Sequence, residues 1–501
     1  MPKISITMNK SINKIQSLLG LRIIYGCVIL CIIIVNSILY LTINPASNHS
    51  APLQSRKDAA GFSFSKAEKF AYFHYYTGDF PLATLNTDLK YSVKDAELEI
   101  EENGEDLIME FQHWSRLGEN ARIWAFLPNS ILAGSPQNPS IKLFNVLIFT
   151  FSLIILYTGF WKSKHALYGL ILVIIINSTP FFHFEVFANN NIFAIIGSVF
   201  FIILGLNISL ILNNDSKFIK ALIIAFFSGS IIGFFSEFRN EISVLIVSLI
   251  FIYLLSNRIK FIFKLSLILV SFLTFYGSKM LIRNHFNHKF EKTTSLVENH
   301  HGHVYTGKRI PGHKFWHPVF CGLGDFDTEH GYAWNDIVAY KYAVPILQNE
   351  YKMDIAYSGL LHLDNYYDQD SLYYIKFDEI DDYETILKNK VLSDIGSNPL
   401  WYFKILGKRF IRTLSVTIPI PYVGWLIFFI LFRSFKKQIP NYHIKLIAIS
   451  LPLSVTSMLI YSGDGATYNS VFVYFVIMAI IFMLFNPNYS WLFVMKSQNK
   501  K

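Results

Sequence analysis

Charged residues and cysteines are both scarce in this sequence. Charged residues make up 16% of its 501 residues, whereas about a quarter is usual in a soluble protein. Of the three cysteines, Cys27 and Cys31 fall in the first apolar run, and only Cys321 falls in a region that we place outside the cell. The low charge argues against an ordinary soluble protein, and one external thiol excludes a framework of exported disulfides.

Acidic residues are nearly absent from one set of loops. About ten apolar stretches divide the chain, and of its 35 Asp and Glu residues only Asp215 lies on a segment rich in Lys and Arg. Because basic loops stay in the cytoplasm during insertion, this sorting predicts the number of spans and their orientation. The net charge of +9 then belongs to the cytoplasmic loops, which argues against nucleic acid as a partner.

We therefore expect an all-α polytopic protein of the cell inner (cytoplasmic) membrane, with about ten transmembrane helices and both termini in the cytoplasm. The first run of about 23 apolar residues is too long for a cleavable signal, so we expect a retained anchor. Two external regions of mixed helix and loop are predicted. The expected segments are a basic leader (1–20), the first span (21–43), a first external region (44–140), spans two to seven (141–282), a second external region (283–400), an interfacial amphipathic helix (401–417), spans eight to ten (418–486) and a cytoplasmic tail (487–501).

The first external region contains an acidic segment with helical spacing. Within 92–118, acidic residues recur every three or four positions beside an apolar stripe, which predicts an amphipathic helix. A solvated face is the simplest interpretation of most of these acids. Asp106 and Glu110, near the apolar end, are the better candidates for a catalytic carboxylate, and Asp88 is a third. Gly104 interrupts the pattern, so a bend is predicted there.

Two short external turns hold charged residues close to the bilayer. Glu185 lies between spans three and four, where a carboxylate is costly unless it has a partner or a function. Glu237, Arg239 and Glu241 lie between spans five and six. An ion-paired structural turn is one interpretation of this trio. The other is a phosphate site, because a guanidinium binds phosphate with bidentate geometry.

The second external region interleaves aromatic residues with carboxylates. Trp316 and Trp334 flank Asp325 in a glycine-containing segment, and such a set suits a sugar ring, whose C–H faces stack while its hydroxyls bond to acids. The same residues would also pack an ordinary loop domain. The histidines here match no tight ligand spacing, so we assign no metal residues, although a divalent cation (Mg²⁺ or Mn²⁺) stays open as a cofactor.

The segment at 401–417 combines bulky apolar residues with cations at helical spacing. It contains Lys404, Lys408, Arg409 and Arg412, which is too much charge for a comfortable span. The pattern predicts an amphipathic helix on the outer membrane surface.

The layout resembles the GT-C glycosyltransferases, membrane enzymes that use polyprenyl-phosphate-linked sugars. The resemblance rests on a cytoplasmic N-terminus, a long external loop after span one, and a further acid in the next short external turn. In this sequence, the region from Asp88 to Glu110 corresponds to the acidic part of the long external loop. The turn with Glu185 corresponds to the next short external turn. The stretch SNPLWYFKILGKRFIRTLS also looks like the surface helix that precedes the last spans in such proteins.

The resemblance implies a GT-C-like fold and an inverting transfer of sugar to a glycan, lipid or protein acceptor on the external face. A carboxylate such as Asp106 or Glu185 would act as general base. Cations near the outer surface would hold the donor phosphate, and the residues in place for this are Arg239, Arg283 and the cluster from Lys404 to Arg412. This sequence lacks the pair of adjacent acids directly after span one that better-known members have.

Three other functions fit parts of the same pattern. O-antigen polymerases and ligases also use lipid-linked sugars, but they usually lack a long loop directly after the first span. A transporter would place ionisable residues at mid-membrane, and spans two to ten have none at their centres; the chain also shows no internal repeat. A non-catalytic assembly protein of the cell envelope is the third alternative.

Overall fold

A computed structural model describes the helical parts of the chain. The described residues are 2–42, 84–85, 100–102, 104–109, 142–161, 166–178, 191–212, 217–255, 259–304, 315–327, 329–352 and 380–415, together with 422, 425 and 452. The predicted spans eight to ten and the predicted tail therefore lie almost wholly outside these residues.

The described chain is predominantly helical. Its helices are α1 (Pro2–Thr42), α2 (Lys142–Trp161), α3 (Ala166–Asn177), α4 (Asn191–Leu212), α5 (Phe218–Ser236), α6 (Leu245–Leu254), α7 (Phe261–Asn299), α8 (Trp316–Leu323), α9 (Asp336–Asn349), α10 (Ile380–Ser397) and α11 (Pro399–Ser415). Three very short strands, β1 (Thr84–Leu85), β2 (Leu107–Met109) and β3 (His303–Val304), form one sheet, in which β2 pairs antiparallel with β1 and parallel with β3.

Four helices in the described ranges are long and apolar enough to cross a membrane. They are Gly20–Thr42 within α1, Leu143–Trp161 within α2, the whole of α5, and α7. These match predicted spans one, two, five and seven. The sequence predictions for spans three, four and six fall on α3, α4 and α6, which are apolar helices.

Most buried apolar side chains among the described residues belong to one of two cores. One is built from the membrane-type helices α1 to α7, where Phe149, Phe200 and Tyr253 are completely buried. The other is built from α8 to α11, around Phe320 and Tyr383. We call the second group of helices the four-helix domain.

Helices α5 and α7 pack closely along two glycines of α5. A Cβ atom at Gly229 would lie 2.3 Å from the backbone oxygen of Ser271, and one at Gly233 would lie 2.2 Å from that of Phe275. The two glycines are four residues apart, which is the small-residue spacing that lets membrane helices touch along their backbones. Because Gly229 meets Ser271 and Gly233 meets Phe275, the two helices run parallel, as predicted for spans five and seven.

One prediction from the sequence differs from the structure. Helix α7 continues past the predicted end of span seven to Asn299, because nothing between Arg283 and Asn299 ends a helix, and this does not conflict with an external region that begins at residue 283. The acidic helix predicted over 92–118 is wrong at 104–109, and the residues that follow lie outside those described. Gly104–Asp106 forms a 3₁₀ turn, and Leu107–Met109 forms strand β2.

Gly104 explains why the acidic helix ends. A Cβ atom at this position would lie 2.7 Å from the backbone oxygen of His300, so only glycine lets the chain approach the end of α7 this closely. Leu107 is then completely buried, and its strand pairs with β3. The turn therefore fastens residues 104–109 to the residues that follow α7.

Replacing Gly233 with valine is expected to lower the free energy of unfolding by about 1–3 kcal/mol, because the added side chain forces α5 away from α7. The measurement is unfolding of the purified protein by titration with SDS. Gly277→Val in α7 is the matched control, since a Cβ atom there meets nothing within 4 Å. Equal losses in the two variants would contradict a close α5–α7 seam.

Candidate functional site

The seam between α5 and α7 ends in a cluster of charged side chains. Glu237 follows the last residue of α5, and its side chain is completely buried. Its Oε1 atom lies 3.2 Å from Lys279 Nζ, and its Oε2 atom accepts a hydrogen bond of 2.9 Å from Arg283 Nε. Lys279 and Arg283 are four residues apart on α7, so they share the face that meets α5. We call these three residues and Arg239 the Glu237 cluster.

The cluster lies at the edge of the apolar part of the bundle. Between Lys264 and Lys279, α7 contains no charged residue, and Lys264 caps the end of α6 by donating a hydrogen bond of 2.7 Å to the Leu254 oxygen. From Lys264 to Arg283 the helix rises by about 28 Å. The hydrocarbon layer of a bilayer is about 30 Å thick, so Arg283 falls near its boundary, opposite Lys264.

The position of Glu237 makes its cations necessary. A carboxylate at the C-terminal end of a helix faces the negative end of the helix dipole, and burial removes the water that would otherwise stabilise it. Lys279 and Arg283 supply that stabilisation directly. Two cations therefore contact one carboxylate, which gives these three side chains a formal net charge of +1 (two minus one), and Arg239 follows two residues further along the chain.

Exposure differs sharply within the cluster. The side chain of Lys279 is 17% exposed and that of Arg283 is 47% exposed, whereas that of Glu237 is fully enclosed. Arg283 uses its Nε atom on Glu237, and the outer part of its guanidinium reaches the surface. The cluster can therefore present a fixed, positively charged group to an anion at the membrane boundary.

The sequence predicted three members of this cluster and missed the fourth. Glu237, Arg239 and Arg283 were candidate substrate-binding residues, and the structure brings Glu237 and Arg283 into contact. Lys279 was not predicted, because a lysine near the end of an apolar run is common as a simple flank. Its position four residues before Arg283 was the only signal.

The predicted catalytic carboxylates do not meet the Glu237 cluster within the described residues. Asp106 lies directly before β2, beside the chain that follows Asn299, and α7 rises by about 24 Å between Arg283 and Asn299. Asp88, Glu110 and Glu185 lie outside the described residues. The structure therefore places Asp106 well away from the cluster along α7.

In the four-helix domain, the cations of α11 have separate roles. Arg409 is completely buried, and its Nε atom lies 3.8 Å from Asp325 Oδ2. Burial lowers the pKa of Arg409, and the carboxylate of Asp325 opposes that effect. Arg412, 37% exposed, approaches the other oxygen of Asp325 at 3.6 Å. Asp325 and Arg409, both predicted to bind substrate, thus face each other.

An open cleft lies beside this pair. Its volume is about 340 Å³, and it is lined by Phe326, Lys408, Ile411 and Arg412. Lys408 and Arg412 each lie 5.8 Å from the centre of the Phe326 ring. The cleft combines two cations with two apolar side chains, and we call it the Phe326 cleft.

Asp327 organises the loop between α8 and α9. Its carboxylate accepts hydrogen bonds from the backbone N–H groups of Glu329, His330 and Tyr332, and from Trp401 Nε1 at 2.9 Å. Burial alone would raise the pKa of Asp327, but these donors outweigh it and the pKa is lowered. Asp327 therefore joins the loop to α11.

A second carboxylate, Asp394, holds the same loop from α10. It accepts hydrogen bonds of 2.6 Å from the Tyr332 hydroxyl and 2.8 Å from Lys390 Nζ. Burial acts to raise the pKa of Asp394, whereas the bonds from Lys390 and Tyr332 lower it, and the lowering prevails. Tyr332 also stacks on Trp401. These aromatic and acidic groups are occupied in packing the domain.

The two candidate tryptophans have different surroundings. Trp316 begins α8, where its backbone N–H donates a hydrogen bond of 2.7 Å to the buried carboxylate of Glu384. Its side chain packs against the core of the four-helix domain. Trp334 is 44% exposed, so of the two it is the one that presents a broad ring face to solvent.

Within the ranges that the structure describes, no three His, Cys, Asp or Glu side chains converge as metal ligands. Comparison of the chain with protein-family models, with curated proteins and with solved structures finds no match. The Glu237 cluster is therefore interpreted from its own geometry.

The variant Glu237→Gln is expected to lower the free energy of unfolding by about 3 kcal/mol, because it leaves two cations without their buried counter-charge. SDS titration measures this loss. The control is Glu298→Gln, at an exposed position near the end of α7, for which we expect a change within about 0.5 kcal/mol. If Glu237→Gln is as stable as the control, the ion cluster does not stabilise the bundle.

The four-helix domain is expected to lose stability in acid. Asp327 and Asp394 have lowered pKa values when folded, so their contribution is complete above the unfolded value of about 4 and disappears as the pH falls below it. Thermal unfolding followed between pH 7 and pH 3 measures this effect. Asp327→Asn should be less stable at pH 7 and show a smaller loss in acid. An unchanged pH profile in this variant would contradict the role of Asp327.

Proposed function

We propose that the chain is an integral membrane glycosyltransferase that moves a sugar from a polyprenyl-phosphate donor to a glycan, lipid or protein acceptor at the external face of the cell inner membrane. The observation that carries the proposal is the Glu237 cluster, a fixed set of cations at the membrane boundary. The sequence resemblance to GT-C glycosyltransferases, the predicted ten spans and the predicted orientation support it.

The donor and the cluster match in charge and in depth. A polyprenyl-phosphate sugar has a long apolar tail, a negative phosphate at the membrane boundary and a sugar beyond it. Arg283 lies about 28 Å along α7 from the opposite basic flank, at the depth of such a phosphate. The apolar residues that α7 exposes before this point, among them Leu273 and Met280, provide a surface for the tail.

Each member of the cluster has a separate function in this proposal. Arg283, held by Glu237 through its Nε atom, donates from its outer nitrogen atoms to the donor phosphate. Lys279 contacts the other carboxylate oxygen of Glu237 and adds positive charge, and Arg239 extends the site from the turn after α5. A site fixed before the substrate arrives stabilises the charge that builds up on the leaving phosphate.

The reaction is one displacement with inversion at the anomeric carbon. The acceptor hydroxyl attacks that carbon, the bond from the carbon to the phosphate oxygen breaks, and the lipid phosphate leaves with the electron pair. A carboxylate takes the hydroxyl proton. Glu237 is unsuited to this step because both its oxygens contact cations. Glu185 is the proposed base, with Asp88 and Glu110 as alternatives, because Asp106 lies beside the end of α7, about 24 Å along the helix from Arg283.

The substitution Arg283→Gln is expected to reduce sugar transfer at least tenfold and to raise the KM for the donor, because one charge-assisted bond to phosphate is lost. Transfer is measured in vesicles that contain the protein and a polyprenyl-phosphate sugar. Arg283→Lys should retain part of the activity, since it keeps the charge but not the planar geometry.

Lys289→Gln is the charge-matched control, since it removes a cation from the same helix about 9 Å beyond Arg283. Transfer that is equal in Arg283→Gln and Lys289→Gln would contradict phosphate binding by the cluster. If the unmodified protein transfers no sugar from any polyprenyl-phosphate donor tested, the chain is not this enzyme, and an assembly protein or a transporter is favoured.

A further inference from the structure

Helix α11 has apolar side chains on two opposite faces. One face packs into the four-helix domain, where Trp401 and Ile405 are buried. The other face is at the surface, and its large apolar residues stay exposed by 37–73%: Leu400, Phe403, Phe410 and Ile411. A single apolar face would be sufficient to hold the helix on its domain, so the second face needs a different explanation.

A row of cations lies along one side of the exposed apolar face. Lys404, Lys408 and Arg412 follow each other at intervals of four residues, and α11 contains no acidic residue. Lys404 and Lys408 are exposed, whereas Arg409 is turned inward to Asp325. The outward face is therefore apolar in the middle and positive along one edge, which is the pattern of a helix lying in a membrane interface.

The connection of α11 to the rest of the chain favours a membrane as its partner. The helix ends at Ser415, and the next apolar run, predicted as span eight, begins at residue 418. Two intervening residues span at most about 7 Å, so the C-terminal end of α11 cannot be far from the surface that a following span enters. A lipid surface is thus within reach of the exposed face.

We propose that the exposed face of α11 docks on the membrane surface, with Leu400, Phe403 and Ile411 among the acyl chains and the phosphate of an anionic phospholipid in the Phe326 cleft. Lys408 and Arg412 bind the phosphate, and Phe326 and Ile411 contact the start of its chains. Lys404 extends to a neighbouring headgroup, since its stem lies along apolar surface and its ammonium group stays in water. This docking is independent of sugar transfer.

The test measures how deeply α11 lies in the membrane. A spin label is attached to the variant Phe403→Cys of the full chain, in which Cys27 and Cys31 are replaced by alanine and the buried Cys321 is retained. The protein is placed in nanodiscs of neutral lipid or of neutral lipid with about a third of phosphatidylglycerol. Oxygen, which concentrates in lipid, and a water-soluble nickel complex report the surroundings of the label.

We expect the label at position 403 to be more accessible to oxygen than to the nickel complex. This difference in accessibility should be larger in the anionic nanodiscs than in the neutral ones. Each of Lys408→Gln and Arg412→Gln should lower the ratio of docked to undocked protein about fivefold in anionic lipid, and less in neutral lipid. Lys388→Gln, at an exposed position of α10 in the same domain, is the matched control and should leave the ratio unchanged.

Two results would overturn the proposal. A label at 403 that nickel reaches equally in both lipids shows that the face does not contact the membrane. If the ratio of docked to undocked protein changes neither with lipid charge nor on the loss of Lys408 or Arg412, the Phe326 cleft binds no anionic headgroup. Adding soluble glycerol phosphate separates the sources of phosphate, since release of the label by it would mean that the cleft binds free phosphate instead of a lipid.

Discussion

The backbone contact between α5 and α7 determines where the charged residues of this bundle can lie. Gly229 and Gly233 let α5 rest directly on Ser271 and Phe275. One helical turn beyond Gly233 comes Glu237, and one turn beyond Phe275 comes Lys279, so the same register that joins the glycines to α7 brings the ion pair together. A larger residue in the seam would move both ends of that pair apart.

The chemistry of the cluster follows from the exclusion of water by this contact between the helices. With the helices so close, no water reaches Glu237, and a buried carboxylate at the boundary of a membrane must be compensated by cations. Lys279 and Arg283 provide more positive charge than one carboxylate neutralises. The surplus is held in a fixed geometry and is half exposed at Arg283, which suits an anion that arrives from the membrane side.

Sequence reasoning was strongest where the signal is local and continuous. The long apolar runs predicted α1, α2, α5 and α7, and the short turn after α5 pointed to Glu237. It failed where distant parts of the chain decide the outcome. Gly104 ends the acidic helix because of His300, nearly two hundred positions away, and Arg409 is buried because Asp325 lies across the domain fold. Helix α7 also runs past the predicted end of span seven, because polar residues alone do not end a helix.

In both parts of the molecule, a buried carboxylate contacts two cations, one of which stays partly exposed. Glu237 contacts Lys279 and the half-exposed Arg283, and Asp325 contacts the buried Arg409 and the partly exposed Arg412, which lines a cleft with Lys408. These acids position cations, so they are poor candidates for moving a proton. Under the proposed function, the proton acceptor is then a carboxylate that such cations do not already hold, and Glu185, in the short turn predicted beside the bilayer, is the candidate that fits.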